Sequence, residues 1–390
     1  MKKILIVFSG LQITLDEGAK HRLNSFIIEY ANLNYEVTVL AFVKTGLLLR
    51  NKKTFLNNKA KWILLPYLPI SKNLLLSKIF YFYTQSVLVF LSWLKRYDLI
   101  QIEQTAVLKH SLCYPHSFYI TDIHGDGYWE YIEMVHNHKI WYAKQLLNRQ
   151  LKIILNSDFC ICVSENLKQQ LEQNTGQDIK NFGIISCAVD YNRFVQGEPL
   201  LDLSEKLNSR IILGYSGGLQ KWQNIELIIE TAIRLYQVDK RFFLLIYTNH
   251  SIIPYQLLLN KLGKENYMIK ALSSHEIPPN LKLFDVGFLF RSNWILNSVS
   301  SPTKICEYLA AGVPVICTQY SGDYKRSVFH KKTGFVLKDV SISNEEIDNL
   351  IQWLIDVKQN RMEYVTNCQA EAKKRIFSKE FIQTLRKFDI

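Results

Sequence analysis

Residues 291–321 read Arg291-Ser-Asn-Trp-Ile-Leu-Asn-Ser-Val-Ser-Ser301-Pro-Thr-Lys-Ile-Cys-Glu307-Tyr-Leu-Ala-Ala-Gly312-Val-Pro-Val-Ile-Cys-Thr-Gln-Tyr-Ser321. The stretch begins where an apolar strand predicted over 286–290 runs out into a polar loop. Ser300 and Ser301 offer hydroxyls to cap a helix, and Pro302 suits its first turn, where a missing N–H costs nothing. Gly312 ends the helix, and Val313-Pro314 leads into another strand over 315–318. Strand, loop, helix, strand is the unit from which parallel sheets are built. The first amides of such a helix form an anion site, so a phosphate fits at Ser301, Pro302, Thr303 and Lys304. Glu307 lies about one turn further in, near enough for a ribose.

The alternation continues on both sides. Upstream, strands are expected over 211–215, 242–248 and 267–270, with helices over 224–236, 255–262 and 274–280. Downstream come a strand over 334–337 and helices over 344–358, 361–377 and 379–389. The first half repeats the pattern, with strands over 3–8, 36–42, 61–65, 99–103, 117–122, 159–164 and 183–186. Its helices fall over 18–33, 74–94, 131–155 and 165–174. A polar connector at 197–209 separates the two series, and 390 residues exceed what one hydrophobic core supports. The expected fold is α/β: two facing Rossmann-like, doubly wound domains with ligand between the carboxyl ends of their strands.

The segment Pro302–Ile316 resembles the donor-binding signature of retaining GT-B glycosyltransferases of family-4 type, in the form found among enzymes that build bacterial capsules and O-antigens. The resemblance implies an N-terminal acceptor-binding domain over 1–200 and a C-terminal donor-binding domain over 201–375. A last helix, 376–390, would pack back on the first domain. The implied reaction moves a sugar from a nucleotide-diphosphate sugar to a glycan or lipid-linked acceptor in surface polysaccharide biosynthesis, with anomeric configuration retained. No cofactor beyond the donor is implied. Tyr215-Ser-Gly217-Gly218-Leu-Gln-Lys221-Trp-Gln-Asn224 follows the first strand of the second series. Its glycines permit close backbone approach, and Lys221 can neutralise a diphosphate. Thr121-Asp-Ile-His124-Gly-Asp126 looks like the family loop that sets a histidine beside the transferred sugar. Gly18 remains from a glycine pair near the donor phosphates. Val163-Ser-Glu165 and Ala188–Phe194 match framework motifs and read as structural.

One departure stands out. The family commonly carries a second glutamate eight positions before the one matched by Glu307, and here that position is Val299. Arg291 and Asn297 are the polar residues of the same loop that can replace it. The implied catalytic residues are therefore His124, Lys221, Arg291 and Glu307. No Asp-x-Asp motif occurs, so the leaving diphosphate would be stabilised by Lys221, Arg291 and helix amides without a metal. Two other readings share the design. A sugar-nucleotide epimerase would form free sugar isomer without acceptor, and an inactive nucleotide-sugar-binding subunit is allowed by the absent glutamate. A dehydrogenase is disfavoured, since no Gly-x-Gly-x-x-Gly follows the first strand.

Composition adds a partner. The net charge is +12, yet no Asp or Glu occurs from Val37 to Tyr97, where ten Lys and Arg stand among eleven aromatic residues. Basic heads with amphipathic rings suit an anionic membrane surface, placed over residues 44–96, better than nucleic acid, for which no motif is present. Leu74–Leu94 has spanning length but carries Lys78 and Gln85, so it is expected against the core or in the interfacial plane. The seven scattered cysteines read as buried thiols of a reducing cytoplasm. The first apolar run is too short for a signal peptide, and the protein is expected at the inner face of the plasma membrane.

Overall fold

The computed structural model describes residues 1–8, 18–48, 57–67, 74–103, 116–134, 139–199, 207, 209–324, 328 and 332–386. Chain contacts divide it into two units, Met1–Ser186 with Phe377–Ile390, and Cys187–Ile376.

The first unit is built on strands β1 (Lys3–Phe8), β2 (Glu36–Val43), β3 (Lys61–Pro66), β4 (Leu99–Glu103), β5 (Phe118–Ile123), β6 (Phe159–Cys162) and β7 (Phe182–Ile184). They form one parallel sheet in the order β3-β2-β1-β4-β5-β6-β7. β1 and β2 are almost continuously apolar and buried, as strands covered on both faces must be. The helix Gly18–Asn32 buries Phe26 and Tyr30 against Phe377 and Phe381 of the last helix, Phe377–Arg386, in edge-to-face contacts at 4.9 and 5.0 Å. Glu380 of that helix accepts from the amide and hydroxyl of Ser186. The helix Leu74–Leu94 lays Phe80 and Leu88 on Leu5, Val7, Leu40, Phe42 and Ile102 of the sheet. Chain order reverses between β1 and β4, so loops at the carboxyl ends of these strands leave in opposite directions and open a crevice.

The second unit repeats the plan with β8 (Ile211–Ser216), β9 (Phe242–Tyr247), β10 (Tyr267–Lys270), β11 (Val286–Leu289), β12 (Val315–Thr318) and β13 (Gly334–Leu337). Their parallel order is β10-β9-β8-β11-β12-β13, with the reversal between β8 and β11. Helices Ile225–Val238 and Asn344–Gln359 cover one face, and Thr303–Ala310 with Arg361–Ala372 covers the other.

Three details differ from expectation. The division falls at Ser186/Cys187, ahead of 200/201, because Phe194 is buried in the second unit's core and Lys282 holds the carbonyls of Val195 and Gly197. The helix expected over 131–155 is two, Gly127–Met134 and Ile140–Leu155. The earlier one starts at Asp126, whose carboxylate accepts from the amides of Tyr128 and Trp129 as an N-cap does. Third, the basic stretch is not wholly unopposed: Glu36, one residue outside it, pairs with Lys61 at 2.6 Å and Lys95 at 3.0 Å. The hydrogen bonds from Lys61 and Lys95 hold its carboxyl down at about 2. Arg50, Lys52, Lys53, Lys72, Cys113 and Glu17 lie outside the described residues. The other six cysteines form no disulfide among the described residues, and all are buried except the half-buried Cys187.

Candidate functional site

In the second unit the site starts with two glycines at the end of β8. Gly217 has φ +139°, and a Cβ built on it would lie 2.4 Å from Cε and 2.7 Å from Nζ of Lys304. The Lys304 head therefore rests directly on the Gly217 backbone, which only a residue without a side chain permits. Its Nζ also lies 5.9 Å from the centre of the Tyr215 ring. The helix carrying Lys304 is fixed by Tyr308, whose hydroxyl accepts the Ser216 amide at 3.0 Å and whose ring covers Gly287 of β11. Sequence puts the cation on the helix; the packing of Tyr308 sets it against the strand end.

Arg291 leaves β11 beside this point and is 6% exposed. Its backbone is clamped by the Thr318 hydroxyl, which accepts from its amide at 2.9 Å and donates to its carbonyl at 2.6 Å. Nη1 donates to the Trp222 carbonyl at 3.1 Å, Gln223 Oε1 at 2.9 Å and the Phe290 carbonyl at 3.2 Å. No carboxylate partners the guanidinium among the described residues, and burial brings it down to about 10. Burial, then the charge of Arg291, brings Lys304 down to about 8, while Glu307 pulls the other way. Two neighbouring cations, Arg291 buried and Lys304 half-buried, disfavour each other, and an anion is what would relieve both.

The remaining residues read from the sequence fall in different places. Glu307 is half-buried one turn into the Thr303 helix. Ser301 does not cap that helix: its hydroxyl accepts the Cys187 amide at 2.9 Å and lies 3.3 Å from Tyr324 Oη. Ser300 donates to the Asn297 carbonyl, so Pro302 takes the cap position and no side chain caps the helix. The first-turn amides of Thr303 and Lys304 thus carry no side-chain acceptor from the cap. Asn297 is buried and donates to the Ser292 carbonyl at 2.9 Å, which closes its own loop. Gly218 faces the Gln220 side chain. Lys221 sits exposed on a short turn, Lys221–Gln223, with no side-chain partner among the described residues. Val299 is buried at 4%.

The first unit holds a separate cluster at its own strand ends. Glu103 closes β4, Asp122 stands opposite it in β5, and His124 follows β5. His124 Nε2 is 2.7 Å from Glu103 Oε2 and 3.8 Å from Asp122. Arg22 of the Gly18 helix grips both Asp122 oxygens, at 2.6 and 2.7 Å, and donates to the Ile185 carbonyl. Burial alone would lower the His124 pKa, but the Glu103 hydrogen bond and the charges of Asp122 and Glu103 outweigh it, so the pKa is raised. Burial and Asp122 push Glu103 up, against the hydrogen bond and charge of His124. Glu103, Asp122 and His124 bring three metal-type ligand atoms within 4.8 Å of one another. Arg22 occupies both Asp122 oxygens, so the cluster already has its cation. Gly18 is the first residue of the Arg22 helix. Glu103 and Arg22 were not singled out from the sequence; a Glu ending a buried strand one position from the chain reversal was the available signal.

These two parallel sheets, each with polar residues at the carboxyl end of its reversal point, define a GT-B fold. Residues 202–375, within the second unit, match the sequence profile of the family described as Glycosyl transferases group 1. The chain is 27% identical over 180 residues to TuaH of Bacillus subtilis (strain 168), a protein named as a glycosyltransferase of teichuronic acid biosynthesis. That match spans 45% of this chain and 44% of TuaH, less than half of the relative's length. Among solved structures, Anabaena HepE in complex with UDP and glucose superposes with a TM-score of 0.69 over 100% of both chains at 17% identity. A glycosyltransferase from Rickettsia africae gives 0.71 over 99% of this chain and 98% of its own, at 16% identity. At such identities these two likenesses establish the fold.

Proposed function

We propose that the protein is a retaining, metal-independent glycosyltransferase. It would move a hexosyl group from a nucleoside diphosphate sugar to a glycan or lipid-linked acceptor of bacterial surface polysaccharide synthesis, at the inner face of the plasma membrane. The observation that carries the reading is the Lys304 ammonium lying on Gly217 beside the buried, carboxylate-free Arg291. Fixed cations of this kind are aimed at a diphosphate, and their charge grows in value as the anomeric C–O bond breaks and negative charge collects on the leaving phosphate. In the proposed transfer the acceptor oxygen forms the new bond on the same face of the sugar. Its proton passes to the departing phosphate oxygen, so atoms and charge balance without a separate protein base. His124, held by Glu103, would donate to a sugar hydroxyl. Glu307 would hold the ribose, and Lys221 would add a mobile positive charge.

The UDP of the HepE complex and the teichuronic acid biosynthesis in TuaH's name support this substrate class. Thermal shift against UDP, GDP and their sugars tests donor binding, since a ligand for the native state raises its melting point. NMR of the glycosidic product reads retention, and transfer should persist in EDTA. A Glu307→Ala or Lys221→Ala variant should lose at least about tenfold in transfer, about 1.4 kcal/mol; full rates in both would sink the site. Val299, buried where the family resemblance implies a first glutamate, favours one second reading, an inactive nucleotide-sugar-binding subunit. Donor binding without turnover on any acceptor would establish it.

A further inference from the structure

The helix Leu74–Leu94 has two faces of the same chemistry but opposite fates. Phe80, Thr84 and Leu88 turn onto the sheet and are buried. On the other side, at helical spacing, stand Ile79, Phe82, Phe90, Trp93 and Leu94, exposed at 46, 74, 57, 81 and 67%. Ser86 fills the gap in the row and is also exposed. From Ile79 to Trp93 the stripe runs about four turns, roughly 21 Å at ~1.5 Å per residue. Scattered apolar residues on a surface are ordinary, but a stripe interrupted by a single serine and carrying three exposed aromatic rings marks an interaction face.

Charge says which partner covers it. From Glu36 to Tyr97 the sequence has ten basic side chains against one acid. That acid is spent on Lys61 and Lys95. Arg96, just beyond the helix, and Lys44 are exposed. A second copy of this chain would bring together two segments that each carry an excess of nine positive charges over residues 36–97. No helix among the described residues is long and apolar enough to cross a membrane. Exposed rings in a basic setting are what an anionic bilayer surface selects, with the aromatic groups at the headgroup boundary and the cations among the lipid phosphates.

We propose that the outer face of Leu74–Leu94 is the surface through which the protein docks on anionic lipid, its axis parallel to the membrane plane. The docking rests on the lipid-linked acceptor reading for its purpose, but it is measured without turnover. Full-length protein is sedimented with vesicles of phosphatidylethanolamine containing phosphatidylglycerol, and with vesicles of phosphatidylcholine. Wild type should partition to the anionic vesicles and be released by salt. Phe82→Ser with Trp93→Ser should lower that partition at least tenfold, about 1.4 kcal/mol, while the far-UV spectrum and the UDP-induced thermal shift stay as in wild type. Both positions are exposed, so the fold should survive the change. Equal partition of variant and wild type overturns the proposal. So does a wild-type dimer that the double variant dissociates while vesicles bind neither. If UDP gives no thermal shift but the vesicle result holds, the donor reading fails and the docking face stands.

Discussion

Replacing Glu103 with Gln tests whether His124 works as a held cation. The substitution keeps the size of the side chain and leaves Arg22 on Asp122, but removes the charge 2.7 Å from Nε2. Four ionisable groups face the imidazole: Glu103, Asp122 and Arg22 act on it, and its own charge is felt by Glu130. Of these four, Glu103 stands at hydrogen-bond distance, 2.7 Å, and Asp122 at 3.8 Å. A hydrogen bond to a charged partner contributes about 1.5–3 kcal/mol, so the protonation constant of His124 should fall by a factor of about ten or more. The sign follows from the raised pKa of the wild type. Wild-type imidazolium, with any stability or activity that needs it, is complete below the ordinary histidine range and is lost as pH rises through the raised value. In Glu103→Gln that loss moves to lower pH. The assay is side-chain NMR of labelled histidine, with the His124 signals assigned by their disappearance in His124→Gln, followed across pH. Transfer rates across the same range should show the alkaline limb moving with the titration. Coincident His124 titrations in variant and wild type would refute the dyad, whatever the enzyme does.

In the second unit, UDP affinity should fall as pH rises through about 8, the value to which burial brings Lys304; calorimetry that finds constant affinity from neutral to strongly alkaline pH removes Lys304 from the phosphate site. Gly217→Ala places a Cβ 2.4 Å from Lys304 Cε at a φ of +139°, so UDP binding should weaken by at least about tenfold, read by the same titration. Arg22→Ala strips the guanidinium from a fully buried Asp122 and should cost about 3–5 kcal/mol of stability in urea unfolding; a loss under 1 kcal/mol would mean the pair is not holding the Gly18 helix to the sheet. Lys304→Met should raise the melting temperature of the ligand-free protein while abolishing the UDP-induced shift; a lowered melting temperature would show the lysine to be a stabilising contact instead.

What the sequence disclosed was local and periodic. β1, the Leu74 helix, β4, β10, β12 and β13 lie where apolar period and turn residues put them, because each is decided by burial of a continuous run. Long-range hydrogen bonds were not legible. Ser301 looks like a cap because Ser precedes a helix, but its hydroxyl is claimed by the Cys187 amide, 114 positions away. Asn297 looks like a ligand for sugar and closes its own loop instead. Lys304 came out of the Pro302–Ile316 match as one residue among several. Its seat on Gly217 depends on Tyr308 reaching the Ser216 amide, 92 positions upstream. The Glu103–His124 pair needs β4 and β5 to be neighbours in register, which no spacing of 21 residues could state.

The two clusters treat buried charge in opposite ways, and the contrast bears on function. Around Asp122 the charges stand in pairs: Arg22 forks onto the carboxylate, and His124 meets Glu103 at Oε2, while Glu103 Oε1 is buried with no hydrogen-bond partner among the described residues. Such a cluster holds its shape without a ligand. Around Lys304 and Arg291 the acid that acts on them among the described residues is Glu307, on Lys304, and both cations are held below their ordinary pKa values. A folded chain tolerates that imbalance at a cost in stability, since an uncompensated buried charge is among the more expensive things a protein can keep. Packing alone would favour a methionine at 304 and a leucine at 291. On the proposed function the cations there, one resting on Gly217, are accounted for by an anion that would arrive from outside the chain and complete the balance.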